Sequence, residues 1–122
     1  MSENKKILVV DDEEHIRLLY SEELISAKYE VATAENTASA LEKIKSENID
    51  LVVLDIMMPD MDGLEALSRI KKMNKNLPVI LCTAYGSYKQ DFIAWGAEAY
   101  IVKSSNVKEL ISTVKKCLGK TN

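Results

Sequence analysis

Short apolar runs alternate along this chain with stretches whose apolar residues recur at helical spacing, and the alternation repeats five times. The run 7–10 (ILVV) is unbroken and rich in β-branched residues, which is typical of a strand covered on both faces. Repeated βα units favour a parallel sheet with helices on both faces, because each connection must cross over the sheet. We therefore predict an α/β fold, a three-layer α/β/α sandwich built from five βα units.

The boundaries of the predicted elements follow from the same pattern and from local start and stop signals. Asn36 is predicted to cap the second helix, and Gly96 and Gly119 are predicted to end the fourth and fifth helices. The predicted strands are 7–10, 29–34, 49–54, 79–82 and 99–102. The predicted helices are 13–27, a second one that begins at Asn36, a third one that carries Leu64, Leu67 and Ile70, a short one through 92–95, and 107–118.

The composition excludes several classes of protein. The chain has 122 residues, 47% hydrophobic and 29% charged, so residues 1–122 are expected to form a single domain. A net charge of −3 argues against nucleic acid or an anionic membrane as the main partner. Cys82 and Cys117 show neither metal-ligand spacing nor a disulfide framework, and the first six residues do not resemble a signal peptide. A cytoplasmic location is therefore expected.

Polar and charged residues follow the predicted strands. Asp11 and Asp12 come directly after the first strand and Asp55 after the third, while Thr83 ends the fourth and Lys103 the fifth. Function collects beyond the carboxyl ends of the strands in such sheets. Three carboxylates there would repel one another, and Mg²⁺ is the divalent cation that suits them best. With a cation and a hydroxyl nearby, the set favours formation of an aspartyl phosphate.

The same residues carry a family resemblance. The stretches 9–13 (VVDDE) and 55–63 (DIMMPDMDG), the pair Thr83-Ala84, and Tyr100 three residues before Lys103 closely resemble the receiver domain of two-component response regulators. The resemblance covers nearly the whole chain, and the stretch 55–63 is its most specific part. It implies a flavodoxin-like sheet with the strand order 2-1-3-4-5.

The resemblance also implies a role for each site residue. Asp55 would accept the phosphoryl group. Asp12, Asp55 and the backbone carbonyl of Met57 would hold Mg²⁺, with Asp11 helping directly or through water.

Three further residues would respond to the phosphoryl group. Lys103 would pair with its oxygens, Thr83 would move toward it, and Tyr100 would change rotamer. The phosphoryl group would thereby shift the population toward one arrangement of these side chains.

The resemblance implies a signalling protein rather than a turnover enzyme. The domain would take its phosphoryl group from a histidine kinase or a histidine phosphotransfer protein, and it would catalyse its own phosphorylation and dephosphorylation. It would signal through phosphorylation-dependent contacts with a downstream protein, without direct contact with nucleic acid or a membrane. An aspartate-nucleophile phosphatase is disfavoured, because such enzymes need an aspartate two residues after the nucleophile and Met57 stands there.

Two departures from the family pattern bear on function. Ser104 replaces the proline that usually follows Lys103, and a cis bond before a non-proline residue costs about 2.5–4 kcal/mol, so a trans bond with a differently aimed lysine is expected. This keeps open a second hypothesis, a degenerate receiver that acts as a phosphate-independent binding module. The segment between Thr83 and Gly96 is also about two residues short, which predicts a helix of about two turns. Trp95 is expected to pack that helix against its neighbours.

Overall fold

The structure is a computed structural model, and it describes residues 4–55, 63–83, 93, 95–102 and 107–119. Five strands form one sheet in which every neighbouring pair is parallel, in the order β2-β1-β3-β4-β5. The predicted α/β fold and the strand order 2-1-3-4-5 are confirmed. The strands are β1 Lys6–Val10, β2 Glu30–Ala34, β3 Leu51–Asp55, β4 Val79–Thr83 and β5 Ala99–Val102.

Helices cover both faces of the sheet. The described residues contain the helices α1 Glu14–Ser26, α2 Thr37–Ser46, α3 Gly63–Met73 and α4 Lys108–Leu118. The length of the helix predicted between β4 and β5 lies outside the described residues. The predicted C-terminal end of this helix lies within the described residues. Ile93 is helical, the Gly96 N–H donates to the Ile93 carbonyl at 3.1 Å, and Gly96 has a φ of 110°. Such a φ is open to glycine and strained for other residues, so Gly96 ends the helix as predicted.

The unbroken apolar runs are explained by burial on both faces of the sheet. Successive residues of a strand point to opposite faces. In β1, Leu8 and Val10 belong to one hydrophobic cluster while Ile7 and Val9 belong to another, and all four are at most 1% exposed. The first cluster includes Ala40 of α2 with Leu67 and Ile70 of α3. The second includes Tyr20 and Leu24 of α1 with Leu110 and Val114 of α4.

The pairing register aligns the carboxyl ends of the central strands. Val10, the last residue of β1, pairs with Leu54 in β3, and Asp55 pairs with Cys82 in β4. The residues that follow β1 and end β3 and β4 therefore lie at one edge of the sheet. This edge positions the candidate site.

The N-cap predicted at Asn36 is confirmed. Its backbone is extended (φ −155°, ψ 174°), and its side-chain oxygen accepts a hydrogen bond from the Ser39 N–H at 2.8 Å. We expect Asn36→Ala to lower the free energy of unfolding by about 1 kcal/mol, because that N–H loses its partner. Asn36→Ser keeps an acceptor and should cost less than about 0.5 kcal/mol. Urea unfolding followed by circular dichroism tests this, and equal losses in the two variants would contradict the capping role.

Trp95 is the residue whose packing the sequence predicted wrongly. Trp95 is 58% exposed, whereas close packing against neighbouring helices would bury it, and Ile93 and Val102 are 41% and 45% exposed. The apolar side chain of Trp95 at helical spacing favoured burial. Exposure, however, depends on which other segments pack against the residue, and the spacing of apolar residues does not give the position of those segments. Cys82 is buried in the core and Cys117 is half-buried.

Candidate functional site

Three carboxylates meet at the carboxyl edge of β1 and β3. Asp11 directly follows β1, Asp12 comes next, and Asp55 is the last residue of β3. One oxygen from each carboxylate lies within 4.8 Å of one from each of the others. Asp11 is 1% exposed and Asp55 4% exposed, whereas Asp12 faces solvent. The structure thus brings together the three acidic residues that the sequence placed at separate strand ends.

Asp11 is held in position by its main chain and its side chain. Its N–H donates to the Ala34 carbonyl at the end of β2 (3.1 Å), and its Oδ1 accepts from the Glu13 N–H (2.9 Å). The second bond satisfies one of the amide groups near the start of α1, where the helix dipole also favours negative charge. The start of α1 therefore stabilises the buried end of the acidic cluster.

Arg17 makes a contact that the sequence pattern does not predict. Its Nη1 donates to the main-chain carbonyl of Asp11 at 2.7 Å. The only signal in the sequence is a charged residue between the apolar Ile16 and Leu18, in the first turns of the predicted helix. Such a residue usually faces solvent, so the pattern alone does not indicate its contact with the site.

Thr83 lies at the same edge of the sheet. It is the last residue of β4, it is fully buried, and its neighbour Cys82 pairs with Asp55. Tyr100 lies further from the edge, since it pairs with Leu81 in the middle of β4. It is half-buried and packs against the hydrophobic cluster that contains α2 and α3 residues.

Two predicted site residues lie outside the described residues. These are Met57, predicted to offer its carbonyl to the metal, and Lys103, predicted to contact the phosphoryl oxygens. Ser104, which bears on the geometry of the lysine, lies outside them as well. The roles of Met57 and Lys103, and the trans bond expected before Ser104, therefore stay predictions.

The acidic cluster has the chemistry of a site for a hard divalent cation. Two unit charges about 5 Å apart repel by roughly 3 kcal/mol at an effective dielectric constant of about 20, so a buried cluster of carboxylates is stabilised by a cation. Mg²⁺ prefers oxygen ligands and usually keeps several waters. Asp11 and Asp55 supply buried oxygens, while the exposed Asp12 leaves one side open to water. The donor set therefore fits hydrated Mg²⁺.

A second group of charges lies at the opposite edge of the sheet, and it has the features of a structural contact. Lys6 Nζ lies 2.6 Å from Glu47 Oε1, and the Lys6 N–H donates to Asp50 Oδ2 at 2.8 Å. The hydrogen bond from Lys6 lowers the pKa of the Glu47 carboxyl, and the same bond raises the pKa of Lys6. Among the described residues, only Asp11, Asp12 and Asp55 bring three possible metal ligands together, so this opposite edge is a weaker candidate for a metal.

Comparison with known proteins gives the same family by a family model and by individual relatives. The family model described as the response regulator receiver domain matches residues 7–115. The chain is 39% identical over 117 residues to the chemotaxis protein CheY of Bacillus subtilis, covering 93% of this chain and 98% of that protein. It is also 39% identical over 117 residues to the sporulation initiation phosphotransferase F of Bacillus subtilis, covering 94% of each chain.

Solved structures show the same similarity. The chain is 52% identical to the response regulator TrrA of Thermotoga maritima, solved in complex with Mg²⁺-BeF, with a TM-score of 0.85 over 92% of this chain and 97% of that one. TrrA has also been solved in complex with the histidine kinase ThkA, where the similarity again has a TM-score of 0.85 and covers 93% and 98% of the two chains. Among the described residues of the present chain, no helix is both long enough and apolar enough to cross a membrane.

Proposed function

Because this chain belongs to the receiver domain family of two-component response regulators, we propose that Asp55 accepts a phosphoryl group with the help of Mg²⁺. Receiver domains are phosphoacceptors rather than turnover enzymes, and they bind Mg²⁺ at an acidic site. The observation that carries the proposal is the cluster of Asp11, Asp12 and Asp55, whose carboxylate oxygens lie within 4.8 Å of one another.

In the proposed reaction, a carboxylate oxygen of Asp55 attacks the phosphorus of a phosphohistidine. The new P–O bond forms as the P–N bond breaks, and the leaving imidazole nitrogen takes up a proton. The attacking and leaving atoms lie roughly in line with phosphorus. Asp11, Asp12, Asp55 and the carbonyl of Met57 would hold Mg²⁺, which when bound neutralises charge on the transferring oxygens.

The remaining predicted residues would stabilise the phosphorylated state. Lys103 contributes a positive charge to the phosphoryl oxygens, and the Thr83 hydroxyl donates a hydrogen bond to them. This role for Thr83 is supported by its burial at the end of β4, next to the strand that carries Asp55. Tyr100 follows by a change of rotamer, so that phosphorylation shifts the population toward one surface arrangement.

The partners follow from the family and from one relative. Receiver domains pair with kinases, and TrrA has been solved in complex with a histidine kinase. We infer that residues 1–122 act as one receiver domain, with a histidine kinase or phosphotransfer protein as phosphoryl donor. The signal then passes to a downstream protein in the cytoplasm, and the net charge of −3 disfavours direct contact with nucleic acid or an anionic membrane.

A second candidate function is a phosphate-independent binding module. Ser104 favours this second function, because it stands where the family usually has a proline that fixes the loop after the lysine. The two functions differ in a property that can be measured directly, the uptake of a phosphoryl group.

Incubation with acetyl phosphate and Mg²⁺ tests the proposal. We expect intact-protein mass spectrometry to show a gain of one phosphoryl group, and we expect EDTA to abolish this gain. Beryllofluoride with Mg²⁺ should shift the amide resonances of residues around Asp55 and Thr83. No gain in mass and an unchanged amide spectrum would support the binding module instead.

A further inference from the structure

Arg17 links α1 to the acidic cluster through a main-chain oxygen. The Arg17 N–H donates to the Glu13 carbonyl (3.1 Å) within the first turn of α1. From this half-buried position, its guanidinium donates to the Asp11 carbonyl at 2.7 Å. Hydrogen bonds from a charged donor are stronger than neutral ones, so this contact restricts the orientation of the carbonyl.

The restricted carbonyl belongs to the peptide unit that joins Asp11 to Asp12. A peptide unit is planar, so the direction of its C=O sets the direction in which the chain continues to the Asp12 Cα. Asp11 is already fixed by two other hydrogen bonds, one to Ala34 and one from Glu13. Asp12 is the exposed member of the cluster, and its position depends most on this peptide plane.

We propose that Arg17 is a positioning residue for the cation site. By holding the Asp11 carbonyl, it orients the Asp11–Asp12 peptide so that both carboxylates face Asp55. This inference rests on the proposed function, because it presupposes that the cluster binds Mg²⁺.

The hydrogen bond of Arg17 is expected to strengthen Mg²⁺ binding, whereas its positive charge is expected to weaken it. This difference in sign makes the inference testable. A guanidinium close to the cluster repels a cation, so removal of its charge alone would tighten Mg²⁺ binding. Removal of its hydrogen bond would loosen Mg²⁺ binding, and outer-shell groups of this kind typically change metal affinity by about 10–100-fold. The sign of the change in Mg²⁺ affinity therefore separates positioning from repulsion.

The experiment measures the Kd for Mg²⁺ by calorimetric titration of the full chain and of three variants. Arg17→Met keeps most of the aliphatic stem but removes the donors, and we expect its Kd to rise about tenfold. Arg17→Lys keeps a charged donor, and its Kd should stay within about threefold of wild type. Arg69→Met is the matched control, because Arg69 is an exposed α3 residue whose guanidinium contacts Glu65 at 3.5 Å. Its Mg²⁺ affinity should equal that of wild type.

Three results would overturn the inference. The first is tighter Mg²⁺ binding in Arg17→Met, and the second is an unchanged Kd in Arg17→Met. The third is a Kd for Mg²⁺ that rises as much in Arg17→Lys as in Arg17→Met. If Arg17→Met does not fold, Arg17→Gln takes its place. The glutamine amide is too short to reach the Asp11 carbonyl, so the same loss of Mg²⁺ affinity is expected.

Wild-type protein that binds no Mg²⁺ and takes up no phosphoryl group refutes the proposed function itself. Wild-type protein that does both, beside variants with unchanged affinity, refutes only the role of Arg17.

Discussion

Replacing Asp55 by asparagine will leave the protein folded and unable to take up a phosphoryl group. Asparagine has nearly the same shape, so the almost fully buried position at the end of β3 can keep its packing. Its neutral amide is a far weaker nucleophile than a carboxylate, and it removes one of the charged oxygens offered to Mg²⁺. Mass spectrometry after incubation with acetyl phosphate and Mg²⁺ measures the loss, and far-UV circular dichroism checks the fold.

Asp50→Asn is the matched control for this variant. Asp50 lies just before the other end of β3, where its Oδ2 accepts a hydrogen bond from the Lys6 N–H at 2.8 Å. An amide oxygen can still accept that bond, and the carboxylate is remote from the acidic cluster. We expect Asp50→Asn to be phosphorylated like wild type. Uptake at the wild-type level in Asp55→Asn, or its loss in Asp50→Asn, would contradict the assignment of Asp55 as phosphoacceptor.

The second large effect concerns stability and the core beneath the site. Leu8 lies in the middle of β1, has no exposed surface, and pairs in register with Ala32 and Val52. Leu8→Ala removes apolar contacts and leaves a cavity that the paired strands cannot close. We expect the free energy of unfolding to fall by about 2–5 kcal/mol, a large part of the roughly 5–15 kcal/mol typical of a whole protein. Urea unfolding monitored by circular dichroism measures this loss.

The same substitution at an exposed leucine provides the comparison. Leu18 lies on α1 and is 58% exposed. Leu18→Ala should change the free energy of unfolding by less than about 0.5 kcal/mol. Similar losses at the two positions would show that β1 is not the buried centre of a sheet covered on both faces.

Much of the fold was predictable because burial leaves a pattern in the sequence. Apolar runs identified all five strands, yet the boundaries of the third strand shifted from 49–54 to Leu51–Asp55. Ile49 packs against the core, although it precedes the strand. Asp55 pairs with Cys82 in the sheet, although it is charged. An apolar pattern reports which side chains are buried, whereas a strand ends where main-chain pairing ends.

Parts of the site were less accessible to sequence reasoning, because they depend on main-chain geometry. The contact of Arg17 with the Asp11 carbonyl requires the angle at which α1 leaves β1. Outside the site, the exposure of Trp95 was not predicted either, because an apolar residue at helical spacing favours burial.

The sequence by itself determined that parallel strands would alternate with helices and that acidic residues would stand at the carboxyl ends of two of them. Side-chain periodicity and burial are local properties, so they can be read one segment at a time. The resemblance to receiver domains supplied the strand order. Only the tertiary structure decided the register in which β1 and β3 pair, with Val10 opposite Leu54, which brings carboxylate oxygens of Asp11, Asp12 and Asp55 within 4.8 Å of one another. Distances between segments far apart in the chain are set by the packing of the whole sheet, and for that reason no single segment encodes them.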